Sequence, residues 1–159
     1  MKTMILYATK HGASKEIAEI IASQWDGAEL CNLKENTNPA LDEYGCVIVG
    51  GSLYAGNLLK PVKDYVRNHE PVLLGKQLGL FLSGLGPDGE ARFFSTNFPP
   101  SILEKAKAKA FLGGIYDPQR CNWSERLIMK LISKALKLPL PAHTIAEDKI
   151  AAFVTALKA

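Results

Sequence analysis

Hydroxyl groups, a glycine and backbone amides cluster where the first apolar run of this sequence stops. The run 4–8 ends at Thr9, and the stretch TKHGAS, 9–14, leads into a helical pattern. Gly12 lets the backbone approach a ligand closely, while Thr9 and Ser14 add hydroxyl groups. Unpaired amides and the dipole at a helix N-terminus favour an anion. A loop of this size and chemistry predicts a site for a terminal phosphate monoester.

Two familiar nucleotide-binding loops do not fit this stretch. It lacks the Gly-Lys-Ser/Thr of a Walker A loop, and it lacks the GxGxxG that holds a dinucleotide pyrophosphate. The alternative to a phosphate site is an ordinary helix start with Ser14 as its N-cap.

Two further loops follow apolar strand patterns. The loop GGSLYAG, 50–56, offers Ser52, accessible glycine backbone and the ring of Tyr54, which either stacks on a ligand or packs on the next helix. The loop 83–98 is long and rich in glycine, as functional or mobile loops often are. Because ligands of open parallel sheets sit at the carboxyl ends of the strands, the three loops together predict a flat, phosphorylated aromatic cofactor.

Strand and helix patterns alternate along the chain. Strands are predicted at 4–8, 28–32, 46–51, 78–84 and 110–115, and helices at 14–24, 61–69, 101–108, 123–138 and 145–157. Residues 33–45 form either a short helix or turns. Continuous apolar strands are typical of a parallel sheet covered on both faces by helices. With 159 residues and no long linker, residues 1–159 predict a single domain.

The composition of the chain limits its expected location and binding partners. The chain is 47% hydrophobic with a mean hydropathy of +0.01, and it shows neither a secretory signal nor the ~18–20 apolar residues of a membrane span. The three cysteines lie far apart, which favours a reducing, cytoplasmic location, and the patterns around Cys31 and Cys46 predict packed side chains. A net charge of +3 does not point to nucleic acid.

The two loops carry a resemblance to the flavodoxin family. Its phosphate loop reads roughly Ser/Thr-x-Thr-Gly-x-Thr, which Thr9, Gly12 and Ser14 match, while His11 stands where a threonine is usual. Its second loop, Gly-x-Ser-Thr-Trp, is similar to GGSLY, with Tyr54 at the position that stacks on the flavin ring. The resemblance implies FMN and an α/β fold, namely an open, doubly wound, five-stranded parallel sheet of order 2-1-3-4-5 with helices on both faces.

By this resemblance the FMN contacts come from all three loops. The predicted cofactor-binding residues are Thr9, Lys10, His11, Gly12, Ala13, Ser14, Ser52, Leu53, Tyr54, Ala55, Gly56, Ser83, Gly84, Leu85 and Gly86. Because a flavin supplies the redox chemistry itself, no catalytic side chain is predicted. The histidines His11, His69 and His143 show no metal-ligand spacing; His11 either points outward or adds positive charge near the phosphate.

The chain further resembles, nearly end to end, the flavodoxin-type, menaquinone-dependent protoporphyrinogen oxidases of bacterial heme synthesis. The most specific match is GGIYDPQRCNWSERLIMKLISK, 113–134, a segment that plain flavodoxins lack. The loop 83–98 departs from that family, because it is shorter and has only Arg92 as a basic residue. The resemblance implies tetrapyrrole oxidation with electrons passed to a quinone. The alternative is an FMN electron-transfer flavodoxin that serves a partner protein.

The stretch 123–138 combines an apolar stripe with basic residues. The stripe consists of Trp123, Leu127, Ile128, Leu131, Ile132 and Ala135, and the basic residues are Arg126, Lys130, Lys134 and Lys137. One interpretation is a helix docked on the sheet with a solvated basic face. The other is a surface that meets anionic lipid or a respiratory partner, which would place the protein peripherally at the inner face of the membrane.

Overall fold

A computed structural model describes residues 1–85, 90–137 and 141–159. Its strands are β1 (Thr3–Ala8), β2 (Ala28–Asn32), β3 (Cys46–Tyr54), β4 (Asn57–Leu58), β5 (Gln77–Ser83), β6 (Ala108–Phe111), β7 (Ile115–Tyr116) and β8 (Ala142–His143). Its helices are α1 (Ala13–Ser23), α2 (Lys60–Asn68), α3 (Glu70–Leu74), α4 (Glu90–Asn97), α5 (Pro100–Lys105), α6 (Trp123–Leu136) and α7 (Glu147–Lys158), with a 3-10 turn at Pro118–Arg120.

Five parallel strands form the central sheet in the order β2-β1-β3-β5-β6, which is 2-1-3-4-5 when only these strands are counted. The predicted fold is therefore confirmed. The short β4 pairs antiparallel with the end of β3, and β7 and β8 form a separate antiparallel pair. The register aligns Ala8 with Gly51 and Ser52 with Ser83, so β1 and β5 end beside adjacent residues of β3, which itself continues to Tyr54.

Side chains of the sheet alternate between two apolar layers. Met4, Leu6 and Ala8 face the layer that helices α2 to α5 cover, whereas Ile5 and Tyr7 face the layer under α1 and α7. Because helices bury both faces, the central strands are continuously apolar rather than alternating. Cys31 and Cys46 are packed in these layers, as their patterns predict.

Some element boundaries differ from the predicted ones. The helix predicted at 101–108 ends at Lys105, and the strand predicted at 110–115 covers 108–111 instead. The cause is Ala106, which is extended, after which the Lys107 amide donates to the Leu78 carbonyl at 2.8 Å and brings the chain into the sheet. The segment 33–45, all of it described, contains turns and no helix.

Three predictions about the loops are wrong. The stretch 50–56, predicted to be a loop, is strand as far as Tyr54. Helix α4 occupies much of the stretch 83–98, which was predicted to be a loop. Ser14 is not an N-cap, because Gly12 adopts a left-handed conformation with φ +96° and caps α1 two residues before Ser14. Within the described ranges, none of the helices has the length and apolar character needed to cross a bilayer.

Candidate functional site

The loop between β1 and α1, residues 9–14, presents the amino end of a helix at the carboxyl edge of the sheet. The Gly12 amide donates to Thr9 Oγ1 at 2.8 Å, and the first helical bond runs from the Glu16 amide to the Gly12 carbonyl. The amides of the first turn have no acceptor within a helix, so they are available to an anion. Thr9 accepts in its bond to Gly12, and that bond does not use the Thr9 hydroxyl proton.

Three serine hydroxyls, from the first turn of α1 and from the carboxyl ends of β3 and β5, meet beneath this edge. Ser14 Oγ lies 2.8 Å from Ser52 Oγ and 2.7 Å from Ser83 Oγ, and the latter two are 3.2 Å apart. Ser14 and Ser83 are fully buried. Each hydroxyl has one proton, so a closed circle of three bonds uses all three protons inside this serine ring (Ser14, Ser52 and Ser83). The Ser14 hydroxyl is thus turned towards the other loops.

The ring of Tyr54 stands at the tip of the second loop. Tyr54 is 42% exposed, so part of its ring is accessible to a ligand. Ala55 and Gly56 both have positive φ angles and make the tight turn into β4. The ammonium group of Lys10 lies 4.0 Å from the Tyr54 ring centroid, which connects the first loop to the second through a cation–π contact.

A buried asparagine, Asn97 on α4, holds that turn in place. Its side-chain oxygen accepts from the Leu58 amide at 2.8 Å, and its amide group donates to the Gly56 carbonyl at 3.0 Å. No sequence pattern indicates this role, because Asn97 lies 41 residues from Gly56 and belongs to a stretch predicted to be a loop.

The carboxylate of Glu125, on α6, lies against the first loop. It is 6% exposed; one oxygen is 2.5 Å from His11 Nε2 and the other is 3.2 Å from Lys10 Nζ. Burial would raise the pKa of Glu125, but the hydrogen bonds and charges of His11 and Lys10 outweigh it and hold that pKa below its ordinary value. An ionised acid therefore pairs with the loop, although neither of the first two loops contains one in sequence.

The chain just before α6 makes further contacts with the same loop. Arg120 Nη1 donates to the His11 carbonyl at 2.8 Å, and a Cβ built on Gly12 would lie 3.0 Å from that nitrogen. The Cys121 sulfur is 4.0 Å from His11 Nε2, and burial raises the pKa of the Cys121 thiol. Asn122 begins α6 by accepting from the Glu125 amide at 2.9 Å. Residues 120–125 thus fold over the loop 9–14.

Helix α6 leaves its apolar stripe uncovered. Trp123 is 78% exposed and Leu131 is 63% exposed, while Leu127 and Ile128 are exposed to lesser extents. Most of the stripe therefore does not dock on the sheet, and this part of the first interpretation of residues 123–138 is wrong. The basic residues Arg126, Lys130, Lys134 and Lys137 are exposed as well, and residue 138 lies outside the described residues.

The third loop contributes less accessible backbone than the sequence predicts. Ser83 belongs to the serine ring, and the Gly84 amide donates to the Gly113 carbonyl at 3.0 Å. Leu85 is half-buried, and Gly86 lies outside the described residues.

The donor set fits FMN, the cofactor that the sequence resemblance implies. A helix N-terminus with a left-handed glycine suits a phosphate, and the exposed Tyr54 ring at the neighbouring strand end suits a flat aromatic system. Both lie at the carboxyl edge of the parallel sheet, where such folds bind ligands.

Comparisons with known proteins agree with this arrangement. A family model described as "Flavodoxin domain" matches residues 4–139. The protoporphyrinogen IX dehydrogenase [quinone] of Escherichia coli K12 is 26% identical over 144 residues, which cover 84% of this chain and 80% of that protein. The structure of oxidised Flavodoxin 2 from Bacillus cereus superposes with a TM-score of 0.65 at 19% identity and covers 99% of this chain and 98% of its own. Rubredoxin oxygen:oxidoreductase from Desulfovibrio gigas gives a TM-score of 0.53 at 20% identity over 89% of this chain and 37% of its own.

Proposed function

Because the chain belongs to the flavodoxin domain family, we propose that it is an FMN-dependent oxidoreductase that oxidises a protoporphyrinogen-like tetrapyrrole and passes the electrons to a quinone. The observation that carries this proposal is the seating of residues 120–125 on the loop 9–14 through Glu125 and Arg120. That segment belongs to the stretch most typical of the protoporphyrinogen oxidases, and the curated Escherichia coli relative has the same activity in its name.

FMN is the cofactor, and the three loops divide its binding between them. We assign the phosphate to residues 9–14, the ring face to Tyr54 within 52–56, and the remaining edge to 83–86. Bound FMN would supply the two-electron chemistry, so the protein has to bind, orient and shield it. In this proposal residues 1–159 act as one FMN-binding domain.

Anaerobic reduction tests the proposal. The FMN-loaded protein is mixed with protoporphyrinogen IX without oxygen, and the flavin absorbance is followed before and after menaquinone is added. We expect bleaching by the porphyrinogen and recovery with the quinone, both faster than for free FMN at the same concentration. Dithionite serves as the control that the bound flavin can be reduced. A protein that dithionite bleaches but protoporphyrinogen does not would overturn the proposal.

A second candidate, an FMN electron carrier for a partner protein, is favoured by the stretch 83–98. There α4 occupies the second half, and Arg92 is the sole basic residue of the stretch in the sequence. A carrier would be reduced only when a reductase protein and a nicotinamide cofactor are added, and it would not respond to protoporphyrinogen alone. The same absorbance measurement therefore separates the two functions.

We also propose that α6 contacts the surface of an anionic membrane, which is where a quinone would be met. The exposed apolar stripe and the exposed basic residues suit an amphipathic helix that lies in the interface plane. The test is sedimentation with vesicles that contain phosphatidylglycerol, compared with neutral vesicles. We expect binding to the anionic vesicles that high salt weakens and that Leu131→Ser largely abolishes.

The matched control is Val72→Ser on α3, because Val72 is 45% exposed and lies on another helix. It should leave vesicle binding unchanged. Equal loss with both variants, or equal binding to neutral vesicles, would contradict the membrane contact while leaving the flavin chemistry untouched.

A further inference from the structure

Three different metal-ligand types meet where the loop 9–14 contacts the start of α6. They are His11, Cys121 and Glu125, whose ligand atoms all lie within 4.8 Å of one another. His11 Nε2 is 2.5 Å from the Glu125 carboxylate and 4.0 Å from the Cys121 sulfur. Cys121 and Glu125 are buried, and the His11 side chain is 23% exposed.

From this cluster we propose that His11, Cys121 and Glu125 bind a borderline-soft divalent cation such as Zn²⁺, as a three-ligand site with a fourth position open. Imidazole nitrogen, thiolate sulfur and carboxylate oxygen are the ligands that zinc takes in proteins.

The spacing of the three atoms is close to what such an ion requires. Zinc bonds of about 2.0–2.3 Å at tetrahedral angles place ligand atoms roughly 3.3–3.7 Å apart. The sulfur and Nε2 therefore need to approach by a few tenths of an ångström, while Nε2 and the carboxylate oxygen move apart by somewhat more. The ion would replace the direct contact between His11 and Glu125.

The local charges balance around a divalent ion. A thiolate at Cys121, a carboxylate at Glu125 and a neutral His11 together offset two positive charges. Lys10 does not have to leave, because its ammonium contacts the other Glu125 oxygen at 3.2 Å and that contact remains available when one oxygen binds the ion. The ion lowers the pKa of the thiol it binds, so burial of Cys121 does not prevent ligation.

Sequence spacing could not show this site. His11 and Cys121 are 110 residues apart, and only the packing of α6 on the first loop brings them together. The proposed function also draws on this junction, but zinc binding is measured without any tetrapyrrole, so the two proposals can fail separately.

Zinc binding by the full, FMN-loaded chain tests the site. The protein is treated with EDTA, dialysed against micromolar Zn²⁺, and its bound zinc is measured by mass spectrometry. We expect one ion per chain. Cys121→Ser and Glu125→Gln should each weaken binding by about tenfold or more, on the scale by which perturbed metal sites lose affinity.

Two control variants alter a histidine and a cysteine that lie outside the proposed zinc site. His143→Asn alters an exposed pair in which His143 Nε2 is 3.0 Å from Glu16, and Cys31→Ser removes a buried thiol in the apolar core. Both should keep the zinc stoichiometry. A protein that binds no zinc, or a Cys121→Ser variant that binds as tightly as the parent chain, would overturn the proposal.

A measurement on the unaltered chain guards against variants that fail to fold. Zinc should slow alkylation of the Cys121 thiol, as read by peptide mass spectrometry, and leave the rate at Cys31 unchanged. Equal rates at Cys121 with and without zinc would contradict ligation by its sulfur.

Discussion

The hydroxyl groups of Thr9 and Ser14 were both predicted to hold a phosphate, yet the structure uses them differently. Thr9 Oγ1 accepts from the Gly12 amide at 2.8 Å, so its own proton can be donated to a ligand. The Ser14 hydroxyl lies 2.8 Å and 2.7 Å from those of Ser52 and Ser83, and its proton is used within the serine ring. We therefore expect Thr9→Ala to weaken FMN binding and Ser14→Ala to weaken the fold.

The magnitudes follow from the partners of each hydroxyl. A hydrogen bond to a charged group contributes about 1.5–3 kcal/mol, so Thr9→Ala should raise the Kd for FMN by about 10–150-fold. Ser14→Ala removes two contacts, but Ser52 and Ser83 remain 3.2 Å apart and keep each other as partners. The free energy of unfolding should fall by about 1–2 kcal/mol. The Kd for FMN should change by less than about threefold, or about 0.7 kcal/mol.

Fluorescence titrations with FMN and with riboflavin separate these effects, because riboflavin lacks the phosphate. Thr9→Ala should weaken FMN binding and leave riboflavin binding unchanged, while Thr9→Ser, which keeps the hydroxyl, should behave like the parent chain. Urea unfolding measures the stability of Ser14→Ala. The reasoning is refuted if Ser14→Ala weakens FMN binding more than Thr9→Ala, or if Thr9→Ala weakens both ligands equally.

Three other expectations concern stability and potential. Gly113→Ala should lower the free energy of unfolding, measured in urea, by about 2 kcal/mol or more, because φ is +86° and the new Cβ would lie 1.9 Å from the Thr144 carbonyl oxygen. The control is Gly27→Ala, where φ is +73° but the space is open, and it should cost about 1 kcal/mol. Burial raises the pKa of Tyr65 to about 12, above the ~10 of an unfolded chain. The free energy of unfolding should therefore fall as the pH rises from about 10 towards 12. In urea titrations at alkaline pH, Tyr65→Phe should make this fall smaller. With a net charge of +3, the fully reduced flavin should be less strongly reducing than in acidic flavodoxins, and a redox titration with a very low second potential would contradict this.

The strands of the sheet are predictable because each can be recognised from its own local sequence. Val47, Ile48 and Val49 are β-branched within the apolar run 46–51, and a strand that is buried on both faces needs such a composition whatever the order of the strands. The prediction of a loop at 83–98 is wrong because it rests on the glycines of that stretch. Helix α4 is stabilised instead by contacts with residues that are distant in the sequence. Phe94 packs in the core and the Asn97 side chain hydrogen-bonds to the β3–β4 turn. The hydrophobic periodicity of the sequence predicts neither contact.

The site was predictable only where its residues are neighbours in sequence. The loop 9–14 follows β1 and Tyr54 is the last residue of β3, so the sequence could propose both as candidate site residues. Glu125 could not, because 114 residues separate it from His11 and its helix shows only that one face is apolar. An amphipathic pattern also does not tell which surface covers it, and α6 leaves Trp123 exposed.

The position of β1 inside the sheet has a consequence for the order of folding. β1 pairs with β2, whose first partner Ala28 lies 25 residues after Thr3, and then with β3; β5 and β6 add outward in chain order. The sheet can therefore grow as the chain emerges from a ribosome. The face of the sheet under α1 and α7 cannot be completed in this way. There Ile17 and Ile21 share an apolar cluster with Phe153 and Leu157 of α7. Until α7 has been synthesised, part of that cluster stays open to water, so the nascent chain should be most prone to aggregation just before this helix is added.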